Sequence, residues 1–255
     1  MIKFFRHIRQ RMLKENRFSR YFLYAIGEIF LVVIGIFLAL QLNNWNSDRI
    51  AQRTMHSYYE RMHFEIGSEI QAIESFMINQ EDLRSMNKRT LMILRSKDQD
   101  SIPALKGTLG ALGTAWTVTV KFPVTEEFID RGYLLKVESD SLKWAFQDFA
   151  HVMERISTMN EYTRSQYNDR IEPFINKNLN YSDIALPVYQ RYLVQGGPPT
   201  DYVSLFSDLE LWNVVTLKLE GLSMDIRANR NEIARLKNLN AQILKELERT
   251  DPEGQ

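Results

Sequence analysis

The stretch YFLYAIGEIFLVVIGIFLALQL, Tyr21 to Leu42, decides how this chain is organised. Its 22 residues carry one formal charge, Glu28. As an α-helix rising about 1.5 Å per residue they span roughly 33 Å, the thickness of a bilayer's hydrocarbon core. The pattern predicts a transmembrane helix over residues 21–42. A cleaved signal peptide is the competing reading, but the apolar run is long for one, and the following QLNNWNSDR offers no small-x-small cleavage pattern.

Orientation follows from the flanks. Residues 1–20 hold seven of the chain's 32 basic residues (Lys3, Arg6, Arg9, Arg11, Lys14, Arg17, Arg20) and one of its 32 acidic ones, Glu15, so the front is +6 and the remainder −6. After the apolar run only Arg49 and Arg53 follow within a dozen residues. Positive charge stays on the cytosolic side, which places the N-terminus inside and the remainder outside. Tyr21, Phe22 and Tyr24 at one end and Trp45 at the other suit headgroup depth. Within residues 1–20, Ile2, Phe5, Ile8 and Met12 recur at helical spacing among the cations. That predicts an interfacial amphipathic arm whose basic residues contact lipid headgroups. It carries no helix-turn-helix pattern, so nucleic acid is not an expected partner.

Glu28 sits where an isolated carboxylate would cost ~2.5–3.5 kcal/mol at mid-bilayer. Steps of four, three and four from it reach Val32, Gly35 and Ala39, with Gly27 close by, so small side chains and a carboxyl share one face. Such a face predicts a helix–helix interface, in a homo-oligomer or with a partner membrane protein. The alternative is that Glu28 snorkels to the headgroups.

Beyond the membrane, Tyr59, Met62, Ile66, Ile70, Ile73 and Met77 step as one long helix, with NNWNSD at 43–48 a plausible break before it. Residues 96–123 read as a glycine-bearing loop and then a short strand or extended segment near 116–122. Thr125 with Glu126 and Glu127 reads as a cap and acidic first turn, closed by Gly132 at C′. Ser139 or Asp140 caps a second long helix with Leu142, Ala145, Phe149, Val152, Ile156 and Met159 inward, running to about Ile171 before Pro173. QGGPPT at 195–200 is a breaker. Ser207 and Glu210 have capping-box spacing before a last helix whose seam steps 3-4 like a coiled coil: Leu219, Leu222, Ile226, Asn229, Ile233, Leu236, Asn240, Ile243, Leu247. Asn229 and Asn240 on that seam are expected either to set bundle register or to face solvent. The whole predicts a mainly all-α chain: a basic cytosolic arm (1–20), a transmembrane helix (21–42), an extracytoplasmic antiparallel helical bundle (43–250) and a tail (251–255).

YAIGEIFLVVIGIFLALQLNNWN at 24–46, preceded by MIKFFRHIRQRMLKENRFSR, resembles the N-terminal signature of a family of single-pass inner-membrane proteins found mainly in Bacteroidota, a domain of unknown function. TEEFIDRGYLLKVESDSL at 125–142 and SDLELWNVVTLKL at 207–219 are similar to weaker blocks of that family. The resemblance implies an inner-membrane protein of a Gram-negative envelope with a periplasmic bundle, and it supplies no catalytic residues.

The chemistry-bearing residues are sparse. The chain has no cysteine, which removes disulfides and thiolate chemistry. Glu60 and His63 have the E-x-x-H spacing of di-iron bundles but no second such pair, while His151 and Glu154 have the reversed order. No nucleophile elbow, HExxH, Walker loop or dinucleotide fingerprint is present. Trp116, Trp144, Phe146 and Trp212 either line a ligand pocket or fill the core. The expectation is a membrane-anchored, non-enzymatic interaction or scaffold protein without cofactor or metal. The alternative is an extracytoplasmic ligand sensor acting through a partner membrane protein.

Overall fold

A computed structural model describes residues 18–250. Lys3, Arg6, Arg9, Arg11, Lys14 and Arg17 of the basic arm and the tail at 251–255 lie outside the described residues, as does the side chain of Arg20. The chain is all-α: 83% is helical, and no strand occurs among the described residues. Helix α1 runs Phe18–Ser96, and the chain divides within it into two units, 1–57 and 58–255, each described by itself.

In the first unit, residues 43–48 are helical throughout, so the expected break at NNWNSD is absent. None of those Asn, Ser or Asp side chains competes for a backbone group, and the Arg49 guanidinium lies over the Trp45 ring at 5.7 Å. One helix here is long and apolar enough to cross a membrane, and none of its most apolar window is buried.

The second unit is built on three long helical stretches: the end of α1 from Tyr58, α4 (Asp140–Gln166) and α9 (Leu209–Thr250). Shorter helices α2 (Ile102–Leu109), α3 (Pro123–Asp130), α5 (Glu172–Asn178), α6 (Tyr181–Ile184), α7 (Pro187–Gln190) and α8 (Tyr202–Leu205) connect them. Helix α9 lies antiparallel to both others. Its Lys237 and Arg230 pair with Glu74 and Glu81 of α1 at 2.8 and 3.0 Å, and its Arg235 and Glu232 pair with Asp148 and Arg155 of α4 at 2.9 and 3.4 Å. Most of the expected inward residues are buried, Tyr59, Met62, Ile66, Ile70 and Ile73 on α1, Leu142, Ala145, Phe149, Val152 and Ile156 on α4, and Leu222, Ile226, Ile233, Leu236 and Ile243 on α9, while Met77, Met159, Leu219 and Leu247 are half-buried. Each such large side chain contributes about 1.5–3 kcal/mol on leaving water.

The 96–123 segment departs from a loop. Pro103, at the first turn where its missing N–H costs nothing, opens α2, and Leu105 and Leu109 bury its face. A β-carbon on Gly110 would collide with the Ile184 carbonyl and the Leu186 amide, so this glycine is a close-approach point rather than a flexible turn. Leu105, Leu109, Phe174, Ile175, Leu205 and Leu211 then close one core cluster. The α4 helix ends in a π turn, Tyr167–Ile171, just before Pro173 in the first turn of α5. Proline has no N–H to give and its ring crowds the carbonyl four residues back, and the widened turn absorbs both.

Three caps were set by other residues than spacing alone suggests, or by the one of two it offered. Ser139 caps α4 through Leu142 N at 3.3 Å. Asp208, not Ser207, caps α9, accepting from Leu211 N at 3.0 Å. Thr125 is buried inside α3, which starts two residues earlier at Pro123 and is capped from α1: Glu65 accepts from Val124 N (2.7 Å), Thr125 N (3.0 Å) and Thr125 Oγ1 (2.7 Å). A carboxylate at a helix N-terminus answers both orphan donors and the helix dipole. Gly132 takes its expected place after α3, with φ +73°. Replacing Glu65→Ala is expected to destabilise the 58–255 unit by about 2 kcal/mol and Glu65→Gln by less, read as a drop in urea midpoint of the full chain in detergent.

Candidate functional site

On α1, Glu28, Val32, Gly35 and Ala39 are all exposed and fall within about 60° of arc at 100° per residue. Gly27 lies roughly 80° beyond the edge of that arc, so it flanks the stripe instead of joining it. A β-carbon at Gly27 or Gly35 would meet nothing within 4 Å, leaving the face open to a second helix.

In the second unit both seam asparagines have polar partners. Asn229 is buried and donates from Nδ2 to Asp225 Oδ1 at 3.2 Å, and half-buried Asn240 accepts through Oδ1 from His63 Nδ1 at 2.8 Å. That contact uses one ring nitrogen of His63. Among the described residues no group of three His, Cys, Asp or Glu side chains converges as a metal would require.

Beside the seam runs a second buried line at seven-residue spacing that the sequence reading missed: Lys218, Asp225, Glu232, Leu239 and Glu246. Its heptad step is present in the sequence, but four of its five residues are charged and carry no apolar signal. Lys218 is 3% exposed and Glu232 only 1%. Burial pulls the Lys218 ammonium down to about 8 against the opposing charge of Asp225. Burial pushes the Asp225 carboxyl up to about 6, against Lys218 and the Asn229 hydrogen bond. Burial also raises Glu232, opposed by Arg155 and Arg235. On α1, Gln80, Asn87 and Thr90 are buried; Gln80 lines a small cavity with Lys218 and Asp225, and Thr90 donates to Thr108 of α2 at 2.8 Å.

Where α4 gives way to its π turn, a cleft of about 570 Å³ opens. One wall is Gly113 to Thr117, the next is Thr163, Arg164, Tyr167 and Asn168, and the third is Tyr181, Tyr189, Tyr192 and Leu193. Trp116 donates from Nε1 to the Tyr189 hydroxyl at 2.9 Å, tying two walls together. A β-carbon on Gly113 would strike the Tyr181 ring, so the cleft floor needs glycine there. Of the four aromatic residues singled out in the sequence, Trp116 lines the cleft, Phe146 stacks in the core on Phe128, Trp144 is 69% exposed and Trp212 sits at the surface. Tyr181 and Tyr189 come from four-residue helices and Tyr192 from the turn that follows, with no clear periodicity, which is why sequence reading passed over them.

The buried Lys218–Asp225 pair gives stability a pH dependence with a definite sign. Asp225 titrates near 6 when folded against an ordinary 3.8, so between those values the folded chain holds a proton the unfolded chain releases, and stability falls as pH rises. Lys218 titrates near 8 when folded against 10.5, so above about 8 the unfolded chain holds the extra proton and stability recovers. Both groups are charged between these windows, where desolvation costs most. The double variant Lys218→Met with Asp225→Asn is expected to raise the urea midpoint at about pH 7, and to raise it less at about pH 4.

No protein-family model matches this chain, and neither a curated protein nor a solved structure matches it.

Proposed function

We propose that the chain is a single-pass inner-membrane protein that works by interaction, as a scaffold or accessory subunit, with residues 1–20 in the cytoplasm, 21–42 across the membrane and the bundle at 43–250 in the periplasm. The observation that carries this reading is the apolar stretch of α1, which none of the described residues covers. Water is a poor solvent for such a surface and a bilayer a good one. The sevenfold basic arm before it supports the orientation, with Lys3, Arg6, Arg9, Arg11, Lys14, Arg17 and Arg20 at the headgroups. The resemblance of residues 24–46 to the Bacteroidota family supports the envelope location. Self-association, or association with a partner membrane helix, is assigned to the Glu28, Val32, Gly35 and Ala39 face with Gly27 at its margin. There the carboxyl can hydrogen-bond across a close backbone approach. Asn229 and Asn240 are assigned to fixing the bundle's register.

A sensor acting through a partner membrane protein is the second reading, and the tyrosine-walled cleft favours it, since 570 Å³ is the size of a small-ligand site.

The chain has no cysteine, so single cysteines placed from Gly27 to Ala39 report one position each. In membranes, disulfide crosslinking is expected to peak at 28, 32, 35 and 39, and Glu28→Leu to weaken association by about tenfold. A profile without helical period, together with unchanged association of Glu28→Leu, removes the interface. A C-terminal reporter that is active only outside the cytoplasm is expected to be active, and an inactive one reverses the topology.

A further inference from the structure

Residues 115–122 form neither helix nor turn, and no strand pairs with them, yet from Val118 to Phe122 burial alternates as it does along pleated backbone. Val118 and Phe122 are buried and Val120 half-buried, Thr119 and Lys121 face solvent, and Ala115, Trp116 and Thr117 are all half-buried. Among the described residues no main-chain N–H from Ala115 to Lys121 donates a hydrogen bond. Two carbonyls in the stretch do accept: Trp116 O from Gln80 Nε2 at 3.4 Å, and Val118 O from Asn160 Nδ2 at 2.8 Å. In pleated backbone the N–H and C=O of one residue point to one edge and those of the next to the other. Side-chain amides of α1 and α4 therefore occupy the edge presented by residues 116 and 118. The edge presented by Ala115, Thr117 and Thr119 has no hydrogen-bond partner among the described residues, and Ala115 and Thr117 stand in the wall of the cleft.

A row of unpaired donors and acceptors is a template for another strand. The surrounding walls say what kind. Arg164 is the only formally charged residue lining the cleft, no carboxylate lines it, and the Arg164 guanidinium makes no ion pair among the described residues. Tyr167, Tyr181, Tyr189 and Tyr192 offer rings with polar tips, suited to side chains of mixed character.

We propose that this cleft binds an extended peptide bearing a carboxylate, which adds as a strand to the free edge of residues 115–119, seats alternate side chains against the tyrosines and places its carboxylate on Arg164. A peptide rather than a sugar is favoured because the free groups are main-chain donors and acceptors in strand alternation. The inference rests on the cleft alone. It is compatible with the sensor reading, and its failure leaves the crosslinking profile of the membrane helix untouched.

The test uses the full chain in detergent micelles and a displayed library of random octapeptides ending in a free carboxylate. Enrichment of a sequence family is expected, and a C-terminally amidated copy without acidic side chains should lose binding. The enriched peptide, once synthesised, should bind about tenfold more weakly to Arg164→Gln and to Thr117→Pro, which removes one free-edge N–H. N-methylation at alternate amides of the peptide should abolish binding for one parity and spare it for the other, the signature of strand addition. The methylated peptides are read on the unmodified protein, so the proposal stays testable if Thr117→Pro does not fold. No enrichment, equal loss at both parities, or binding indifferent to Arg164→Gln overturns it, as does quenching of tryptophan fluorescence by maltohexaose when no peptide is enriched.

Discussion

Helix α9 has to pack antiparallel against α1 and α4 at once, and much of the second unit follows from that demand. A helix with one neighbour needs one apolar stripe, whereas one wedged between two needs a wider buried arc. Here the added width is polar. The seam from Leu222 to Ile243 supplies the apolar half, and Lys218, Asp225, Glu232 and Glu246 lie buried beside it. Two of those four are answered by cations that reach in from more exposed positions, Glu232 by Arg155 and Arg235 and Glu246 by Arg249 at 2.9 Å. Lys218 and Asp225 share only a longer-range attraction, and desolvation outweighs it for both.

The same constraint shapes the end of the bundle. Three long helices cannot cap their own core, so short helices fold over it, and their approach is limited by backbone contact at Gly110 and ring contact at Gly113. The α4 helix must stop short of Pro173, and its π turn widens the helix where Tyr167 and Asn168 border the cleft. The π turn that admits Pro173 thus opens space beside the helix. The strand-like segment crosses this space with one edge bonded to Gln80 and Asn160.

Sequence periodicity located all three long helices because their inward faces are apolar over many turns, and repetition makes such a signal robust. It failed where a local rule competed with a distant partner. Thr125 looked like a cap because no local feature announces that Glu65, sixty residues earlier, occupies the helix N-terminus. The 96–123 segment looked like loop because its glycines signal turns, whereas Gly110 and Gly113 answer steric contact with residues more than 60 positions away. The charged line on α9 went unread because single-residue hydrophobicity carries no knowledge of pairing. On the cleft, Trp116 was named but not distinguished from core, and the tyrosines and Arg164 were not legible, being assembled from segments that lack any repeating pattern.

The polar line and the seam asparagines make α9 less stable than an all-apolar helix of the same shape, and that cost has a physical return. Sliding α9 by seven residues would exchange Ile226 with Ile233 and Leu236 with Ile243, substitutions that an apolar seam tolerates. The same slip would set Ile233 or Leu247 against His63 in place of Asn240, and would draw Glu232 away from Arg155. Each leaves a polar group without its partner in a buried setting, a penalty of about 1–3 kcal/mol apiece. Such penalties weigh against the slip, and they are the physical ground for proposing that polar pairing fixes the alignment in which α9 docks.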